Sequence, residues 1–152
     1  MSDLATDAGL SPEILKSYRL LRDECGRVDL PDRRMVELVG DDAIGWLQGQ
    51  ATNDLRNLQP GAYLNFCLCK PTGQIEAVCS LWVLEGRTIV MSDSAGIEVL
   101  LDRLQKFVIL ERVTATRPDV QLIFIQGPMA TSYLGEFIAL PQLNCGTGTV
   151  EG

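Results

Sequence analysis

The densest cluster of small and polar residues in the chain is the stretch Gly40-Asp41-Asp42-Ala43-Ile44-Gly45-Trp46-Leu47-Gln48-Gly49-Gln50-Ala51-Thr52-Asn53-Asp54-Leu55, here called the polar stretch. Helix capping needs only one of the paired aspartates, and a turn needs only part of the Thr-Asn-Asp run. The glutamines on either side of Gly49 exceed that need. Because an amide both donates and accepts hydrogen bonds, Gln48 and Gln50 could read the edge of a heterocycle. An ordinary helix-to-turn junction is the alternative, and residue types alone favour it.

Regular elements are predicted on both sides of the polar stretch from apolar spacing, caps and turn residues. The first are a helix that follows the Ser11 cap and stops at Gly26, a strand over 35–39 and a helix over 42–48 capped by Asp41. Strands over 62–70, 74–84 and 87–91 come next, followed by a helix after the cap Ser92-Asp93-Ser94. The last are strands over 108–116 and 121–125 and a helix from Gly127 to about 138. Helices intermixed with hairpins indicate the α+β class, an antiparallel sheet with flanking helices. We expect residues 1–10 to be a flexible N-terminus, 11–138 one domain and 139–152 a loose tail.

Composition excludes several classes of protein. The chain has 152 residues, 46% of them hydrophobic, and thirteen basic against twenty acidic residues give a net charge of −7. A negative chain repels phosphate backbones, so we expect no direct contact with nucleic acid. Apolar runs such as 120–125 are far shorter than the ~20 residues of a membrane span, so we expect no membrane partner. Because residues 1–9 carry acids and no basic residue, they predict a cytoplasmic protein rather than an exported one.

The absence of histidine restricts the available chemistry. It excludes histidine-based zinc sites and Ser-His or Cys-His nucleophile pairs, so acid–base work would fall to carboxylates, Lys, Tyr, Cys or the ligand. The cysteines are odd in number and have no CxxC spacing, which predicts reduced thiols and no metal site. They are Cys25, Cys67, Cys69, Cys79 and Cys145.

The hairpin around Pro71-Thr72-Gly73 carries three of these thiols and one carboxylate. Cys67 and Cys69 share a face, and pairing of residue 70 with residue 75 would place Cys79 on the other face. A slip of one residue would bring all three thiols together. Burial as small hydrophobic side chains is the favoured interpretation. Glu76, the sole carboxylate of its strand, faces either solvent or a ligand as a partly buried base.

Several strings of the sequence resemble the family of YgfZ and the glycine-cleavage aminomethyltransferase, which is called the YgfZ/GcvT-like family. They are Asp32-Arg33, Val36-Glu37-Leu38-Val39-Gly40-Asp41-Asp42-Ala43, Trp46 to Leu55, Pro71-Thr72-Gly73-Gln74-Ile75 and Ile125-Gln126-Gly127-Pro128-Met129-Ala130, within roughly residues 32–138. The Leu-Gln-Gly-Gln run and the Pro-x-Gly-Gln-Ile hairpin resemble the YgfZ branch more closely.

The chain departs from both branches of the family at recognisable places. In the aminomethyltransferase branch an adjacent pair of acids, one of them essential, follows the hairpin, and here these positions hold Glu76 and Ala77. The YgfZ motif Lys-Gly-Cys-Tyr-x-Gly-Gln-Glu is absent from the chain. The resemblance therefore favours binding without turnover. One-carbon transfer from an aminomethyl donor to tetrahydrofolate is the alternative.

The resemblance implies a tetrahydrofolate-binding protein that supports iron–sulfur enzymes and, through them, tRNA modification. It does not imply that the chain holds a cluster or touches tRNA. From the positions that match the family's motifs, we expect folate contacts by Arg33, Gln48, Gln50, Asn53 and Glu76. Arg33 could meet a carboxylate or stack on the pteridine ring. No residue is assigned a catalytic role.

The family fold is a ring of two similar subdomains around a folate cavity, and the resemblance covers one of them. The chain is either a piece of a longer protein or a short relative that rebuilds the ring from two copies. A lone subdomain would expose a strand edge and an apolar face, which proteins normally cover. Pairing about a two-fold axis is the simplest cover, so we expect a homodimer.

Overall fold

The structure is a computed structural model that describes residues 9–118 and 123–135. The described residues up to Leu30 and from 123 onward form one compact unit, and residues 31–118 form a second. The elements are α1 (Pro12–Asp23), β1 (Gly26–Val28), β2 (Arg33–Val39), α2 (Ala43–Gln48), β3 (Tyr63–Cys69), β4 (Ile75–Leu84), β5 (Arg87–Asp93), α3 (Ser94–Phe107), β6 (Thr114–Thr116), β7 (Phe124–Gln126) and α4 (Ala130–Gly135).

The first unit holds a two-stranded sheet and two helices. Ser11 caps α1 as predicted, since its side chain accepts from the N–H of Ile14 at 3.4 Å. Strand β1 pairs antiparallel with β7. Next to this pairing, Gly127 has a φ of 135°, and a Cβ there would overlap the carbonyl oxygen of Glu24. Only glycine allows this close approach.

The second unit is built on a five-stranded antiparallel sheet in the order β3-β4-β5-β2-β6. Along β4 every second residue from Ala77 to Val83 is buried, which identifies the face that lies on the core. Helix α3 packs against β4, β5 and β2 and contributes Leu100 to this core. Leu47 of α2 and Leu55 after it are also fully buried there. The predicted α+β class, an antiparallel sheet with flanking helices, is confirmed.

The predicted cap of the second helix is wrong. The helix begins at Ala43. Its N-cap residue is Asp42 rather than Asp41. The Asp42 carboxylate accepts from the backbone N–H of Arg112 at 2.8 Å, and Asp41 forms an exposed ion pair with the Arg112 guanidinium at 3.0 Å. Both acids therefore join α2 to a distant segment, and that segment could not be identified from local sequence.

The predicted strand over 108–116 is also wrong in its first part, because only Thr114–Thr116 pair with β2. The Glu111 carboxylate accepts from the backbone N–H groups of Ile109 and Leu110 at 3.0 and 3.1 Å. These two N–H groups therefore do not hydrogen-bond to a neighbouring strand, and the side chains of Ile109 and Leu110 are exposed. A local side-chain acceptor has replaced strand pairing.

Smaller differences concern element ends. Helix α1 stops at Asp23 with Glu24 as its C-cap, and Gly26, expected to be its stop, begins β1. Strand β7 begins at Phe124, and the start of its predicted range, 121–122, lies outside the described residues. The same holds for residues 136–138 of the last predicted helix, for the predicted tail and for most of the predicted flexible N-terminus. In the part of the chain that the structure describes, no helix has the length and apolar character of a membrane span.

Candidate functional site

A β-bulge in the β3–β4 hairpin sets the position of Glu76. Leu68 pairs with Ala77, but the next residue, Cys69, pairs with Ile75, so Glu76 is an extra residue on β4. A bulge breaks the alternation of side chains and aims one of them in a new direction. Here it directs Glu76 toward helix α3, which packs against β4. The sequence contains no unambiguous sign of this bulge.

The same register determines the faces of the hairpin cysteines. Cys67 pairs with Val78 and Cys79 with Phe66, so Cys67 and Cys79 lie on opposite faces of the sheet. This is the arrangement expected for direct pairing rather than for a one-residue slip. At the turn, however, the N–H of Lys70 donates to Gln74 at 2.8 Å, so residue 70 faces residue 74 and not 75. The bulge accounts for this difference.

Arg103 of α3 joins three separate segments of the second unit. Its Nη2 donates to the carbonyl oxygen of Cys69 and to Oε2 of Glu76, both at 2.6 Å. Its Nη1 donates to Oε1 of Gln50 at 3.3 Å. The Arg103 side chain is only 12% exposed and that of Glu76 27%. A cation this sheltered from water needs such acceptors. The contacts link α3 to the β3–β4 hairpin and to Gln50, which follows α2.

A cleft of about 440 Å³ opens beside these contacts, a size that suits a small organic ligand. One wall comes from the hairpin end and the other from the second half of α3. Its lining comprises the cations Lys70, Arg103 and Lys106, the acids Glu76 and Asp102, the apolar Pro71, Val99 and Phe107, and the polar Gln50 and Cys69. Positive charge, a carboxylate and an amide beside an apolar wall could bind a polar ring that carries acidic groups.

Of the predicted site residues, Gln50 and Glu76 are brought together at this cleft. Gln48 is placed differently, because its Oε1 accepts from the backbone N–H of buried Leu55 at 2.6 Å. Arg33 is an exposed residue at the start of β2, where it pairs with Asp93. Neither Gln48 nor Arg33 belongs to the described lining of the cleft.

Asn53 lies along the outer edge of β3. Its Nδ2 donates to the carbonyl oxygen of Asn65 at 3.1 Å, and its Oδ1 accepts from the N–H of Asp54 at 2.8 Å. Thr52 behaves similarly, since its Oγ1 accepts from the N–H of Cys67 at 2.8 Å and its own N–H donates to the Cys67 carbonyl at 3.2 Å. This part of the polar stretch therefore covers an edge strand whose backbone groups would otherwise face water.

Arg103 is the residue that sequence reasoning missed. It lies on α3 three residues after Leu100 and directly before Leu104, both buried. An arginine at the border of a buried helix stripe is a signal for a partly sheltered cation that needs acceptors. The sequence could not say which acceptors those are, because they lie 27 and 53 residues away at Glu76 and Gln50.

The four cysteines within the described ranges are free thiols, and Cys145 lies outside those ranges. Cys79 is buried, and this burial raises the pKa of its thiol to about 11. Within residues 9–118 and 123–135, no group of three or more Cys, Asp or Glu side chains could hold a metal ion.

Comparisons with known proteins agree with this architecture. The sequence profile described as "GCVT N-terminal domain" matches residues 6–148. An aminomethyltransferase of Bacillus velezensis is 26% identical over 125 residues, which are 81% of this chain and 34% of that protein. A tRNA-modifying protein YgfZ of Yersinia pseudotuberculosis is 30% identical over 116 residues, which are 75% of this chain and 35% of that protein.

The fold is similar to that of a solved structure. The crystal structure of glycine cleavage system aminomethyltransferase T from Bartonella henselae matches with a TM-score of 0.72 at 19% identity, over 81% of this chain and 34% of that one. At this identity the likeness concerns the fold alone. The chain spans about a third of the length of the relatives that it matches.

Proposed function

The chain belongs to the family of the GCVT N-terminal domain, and on this premise we propose that it is a tetrahydrofolate-binding, YgfZ-like protein. In this proposal it supports iron–sulfur enzymes and, through them, tRNA modification. Support for the YgfZ branch comes from relatives named tRNA-modifying protein YgfZ in Vibrio atlanticus and two Yersinia species, at 25–30% identity. The Leu-Gln-Gly-Gln run and the hairpin string point to the same branch.

The observation that carries the folate proposal is the meeting of Glu76, Gln50 and Arg103 at one cleft. A reduced pteridine presents ring N–H and amino donors beside a carbonyl acceptor. A carboxylate can accept from two such donors, and an amide can both donate and accept. Exposed Phe107 at the same cleft offers an aromatic surface. Lys106 is ion-paired with Asp102 at 2.6 Å, but this pair is exposed, so its ammonium can exchange that partner for the glutamate end of the ligand.

Calorimetric titration with tetrahydrofolate under anaerobic conditions tests this proposal. We expect saturable binding, and we expect Glu76→Gln to weaken it by about tenfold because one charged acceptor is lost. Glu37→Gln is the matched control, since Glu37 pairs with Arg87 on the sheet and is not part of the cleft lining. If the wild-type protein shows no binding, the folate proposal fails.

The alternative function is one-carbon transfer, and the aminomethyltransferase relative of Bacillus velezensis favours it. The local chemistry argues against it. Ala77 is buried and pairs with Leu68, so the hairpin presents the single carboxylate of Glu76 where that branch has two acids. A glycine-cleavage assay with the other protein components supplied separates the two functions. We expect no activity above background, and turnover would support the alternative.

A further inference from the structure

We infer that Arg103 is the positioning residue of the cleft, which holds the Glu76 carboxylate and the Gln50 amide in one fixed arrangement for the ligand. This inference rests on the proposed function for the identity of the ligand. Arg103 lines the cleft itself, and in this inference it acts through these two side chains.

The first support is the location of the acceptors. Cys69 ends β3, and Glu76 is the extra residue of the bulge on the paired strand β4. Gln50 follows α2 and directly precedes Ala51, which forms a bridge with Leu68 of β3. Backbone pairing therefore already fixes these segments, and the directions of the Glu76 and Gln50 side chains remain to be set. Arg103 is the shared donor of the three acceptors, at 2.6 Å to two of them and at 3.3 Å to the third. Among the described residues no other donor contacts the Glu76 carboxylate or the Gln50 amide oxygen, so without Arg103 the directions of these two side chains would be set by their own rotamer preferences alone.

The second support is the chemistry of the side chain. A guanidinium presents its donors in a planar fork, which satisfies several acceptors at defined angles, whereas an ammonium is a compact point charge. Because the Arg103 side chain is 12% exposed, water can replace its lost acceptors only in part. Any movement of Glu76 or Gln50 away from the cleft would therefore leave a sheltered cation under-bonded. The cation thus resists such movement.

Arg87 forms a second arginine–glutamate pair, away from the cleft. Two hydrogen bonds at 2.9 and 2.8 Å connect it to Glu37, but this pair joins two strands that are direct neighbours in the sheet and lies outside the cleft lining. Its removal deletes an Arg–Glu pair without loosening the cleft. Arg87→Met is therefore the control for the loss of an ion pair as such.

The test measures tetrahydrofolate affinity and melting temperature for Arg103→Met, Arg103→Lys, Glu76→Ala and the double variant Arg103→Met/Glu76→Ala. We expect Arg103→Met to weaken binding by about tenfold, and Arg87→Met to leave it within about twofold. Because Arg103 acts partly through Glu76, its removal should weaken binding much less, about threefold, when Glu76 is already alanine. Equal losses in both backgrounds would overturn the inference, as would wild-type affinity in Arg103→Met.

Arg103→Lys tests the positioning role even if Arg103→Met does not fold. Lysine preserves the charge but not the fork, so we expect a near-native melt with binding weakened by about fivefold. Wild-type affinity in the lysine variant would show that charge alone suffices and would overturn the inference.

A measurement without ligand separates this inference from the proposed function. The side-chain amide resonances of Gln50, followed by NMR, should shift and broaden in Arg103→Met but not in Arg87→Met. If tetrahydrofolate fails to bind the wild-type protein while these resonances shift, the folate proposal falls and the positioning role stands. Unchanged Gln50 resonances would overturn the positioning role whatever the ligand.

Discussion

The Asn53 side-chain amide donates to the backbone carbonyl of Asn65 at 3.1 Å, so the end of the polar stretch lies against the open edge of strand β3. Thr52 bonds both backbone groups of Cys67 on the same edge, and Ala51 forms an isolated bridge with Leu68. Part of the polar stretch therefore stabilises the sheet and is not available to bind a ligand. An edge strand left bare is a site for association between chains.

Removal of the Thr52 hydroxyl should destabilise the second unit. Thr52→Val keeps the shape but leaves the N–H of Cys67 without its acceptor, which should lower the free energy of unfolding by about 1 kcal/mol. Thr52→Ser, which retains the hydroxyl, is the control. Urea unfolding of both variants makes the comparison, and equal stabilities would contradict the edge-covering role.

Gln48 should behave as a structural residue and Arg33 should not. The Oε1 of Gln48 accepts from the N–H of fully buried Leu55 at 2.6 Å, so Gln48→Ala should lower the free energy of unfolding by about 1–2 kcal/mol. Gln48→Glu retains an acceptor and should lower the free energy of unfolding by less. Exposed Arg33→Ala should stay within about 0.5 kcal/mol of the wild type. If Gln48→Ala melts at the same temperature as the wild type, the hydrogen bond to Leu55 does not stabilise the fold, and ligand contact remains as the role of Gln48.

Thiol reactivity should follow burial. Cys79 is 1% exposed and its thiol pKa is raised to about 11, so at pH 8 it should resist a disulfide reagent while half-buried Cys67 and Cys69 react. Under denaturant we expect all five cysteines of the chain to titrate as free thiols.

Metal content provides a separate check on the cysteines. We expect anaerobically purified protein to carry no stoichiometric iron, because the sequence has no ligand spacing typical of a cluster. Stoichiometric iron that disappears in Cys67→Ser would show that this prediction is wrong.

The Glu37–Arg87 pair should contribute a pH-dependent part of stability. Hydrogen bonds from Arg87 hold the pKa of Glu37 below its ordinary value near 4.5. The unfolded chain therefore binds a proton at higher pH than the folded one, so this contribution is complete above pH 4.5 and is lost as the pH falls through the folded pKa. In Glu37→Gln the acid limb of a stability–pH curve should be flatter. If the acid limb is the same as in the wild type, the Glu37–Arg87 pair does not contribute to the pH dependence of stability.

The homodimer stays a prediction. Ala51 to Asn53 cover part of the β3 edge, so any self-association must use other surface or the rest of that edge. We expect light scattering at micromolar concentration to give twice the chain mass of 16.7 kDa. A monomer with a single cooperative melt would show that the subdomain stands alone.

Local signals in the sequence were enough to predict the class of fold and the order of most elements, because caps and turns act between near neighbours. The Ser11 cap, the turn at Pro71-Thr72-Gly73 and the cap at Asp93 all lie where these local signals predict them. The resemblance of the polar stretch to a known family was also visible in the sequence, and the match over residues 6–148 confirms the family.

Which polar residues meet at the cleft could be seen only once the chain was folded. Gln48, Gln50 and Asn53 look equivalent in sequence, yet only Gln50 lies beside Glu76, because the bulge turns Glu76 toward α3 and Arg103 reaches both. These partners are 27 and 53 residues apart from Arg103 along the chain. No local pattern encodes such a meeting, since it depends on the register of the hairpin and on how the helix packs against the sheet.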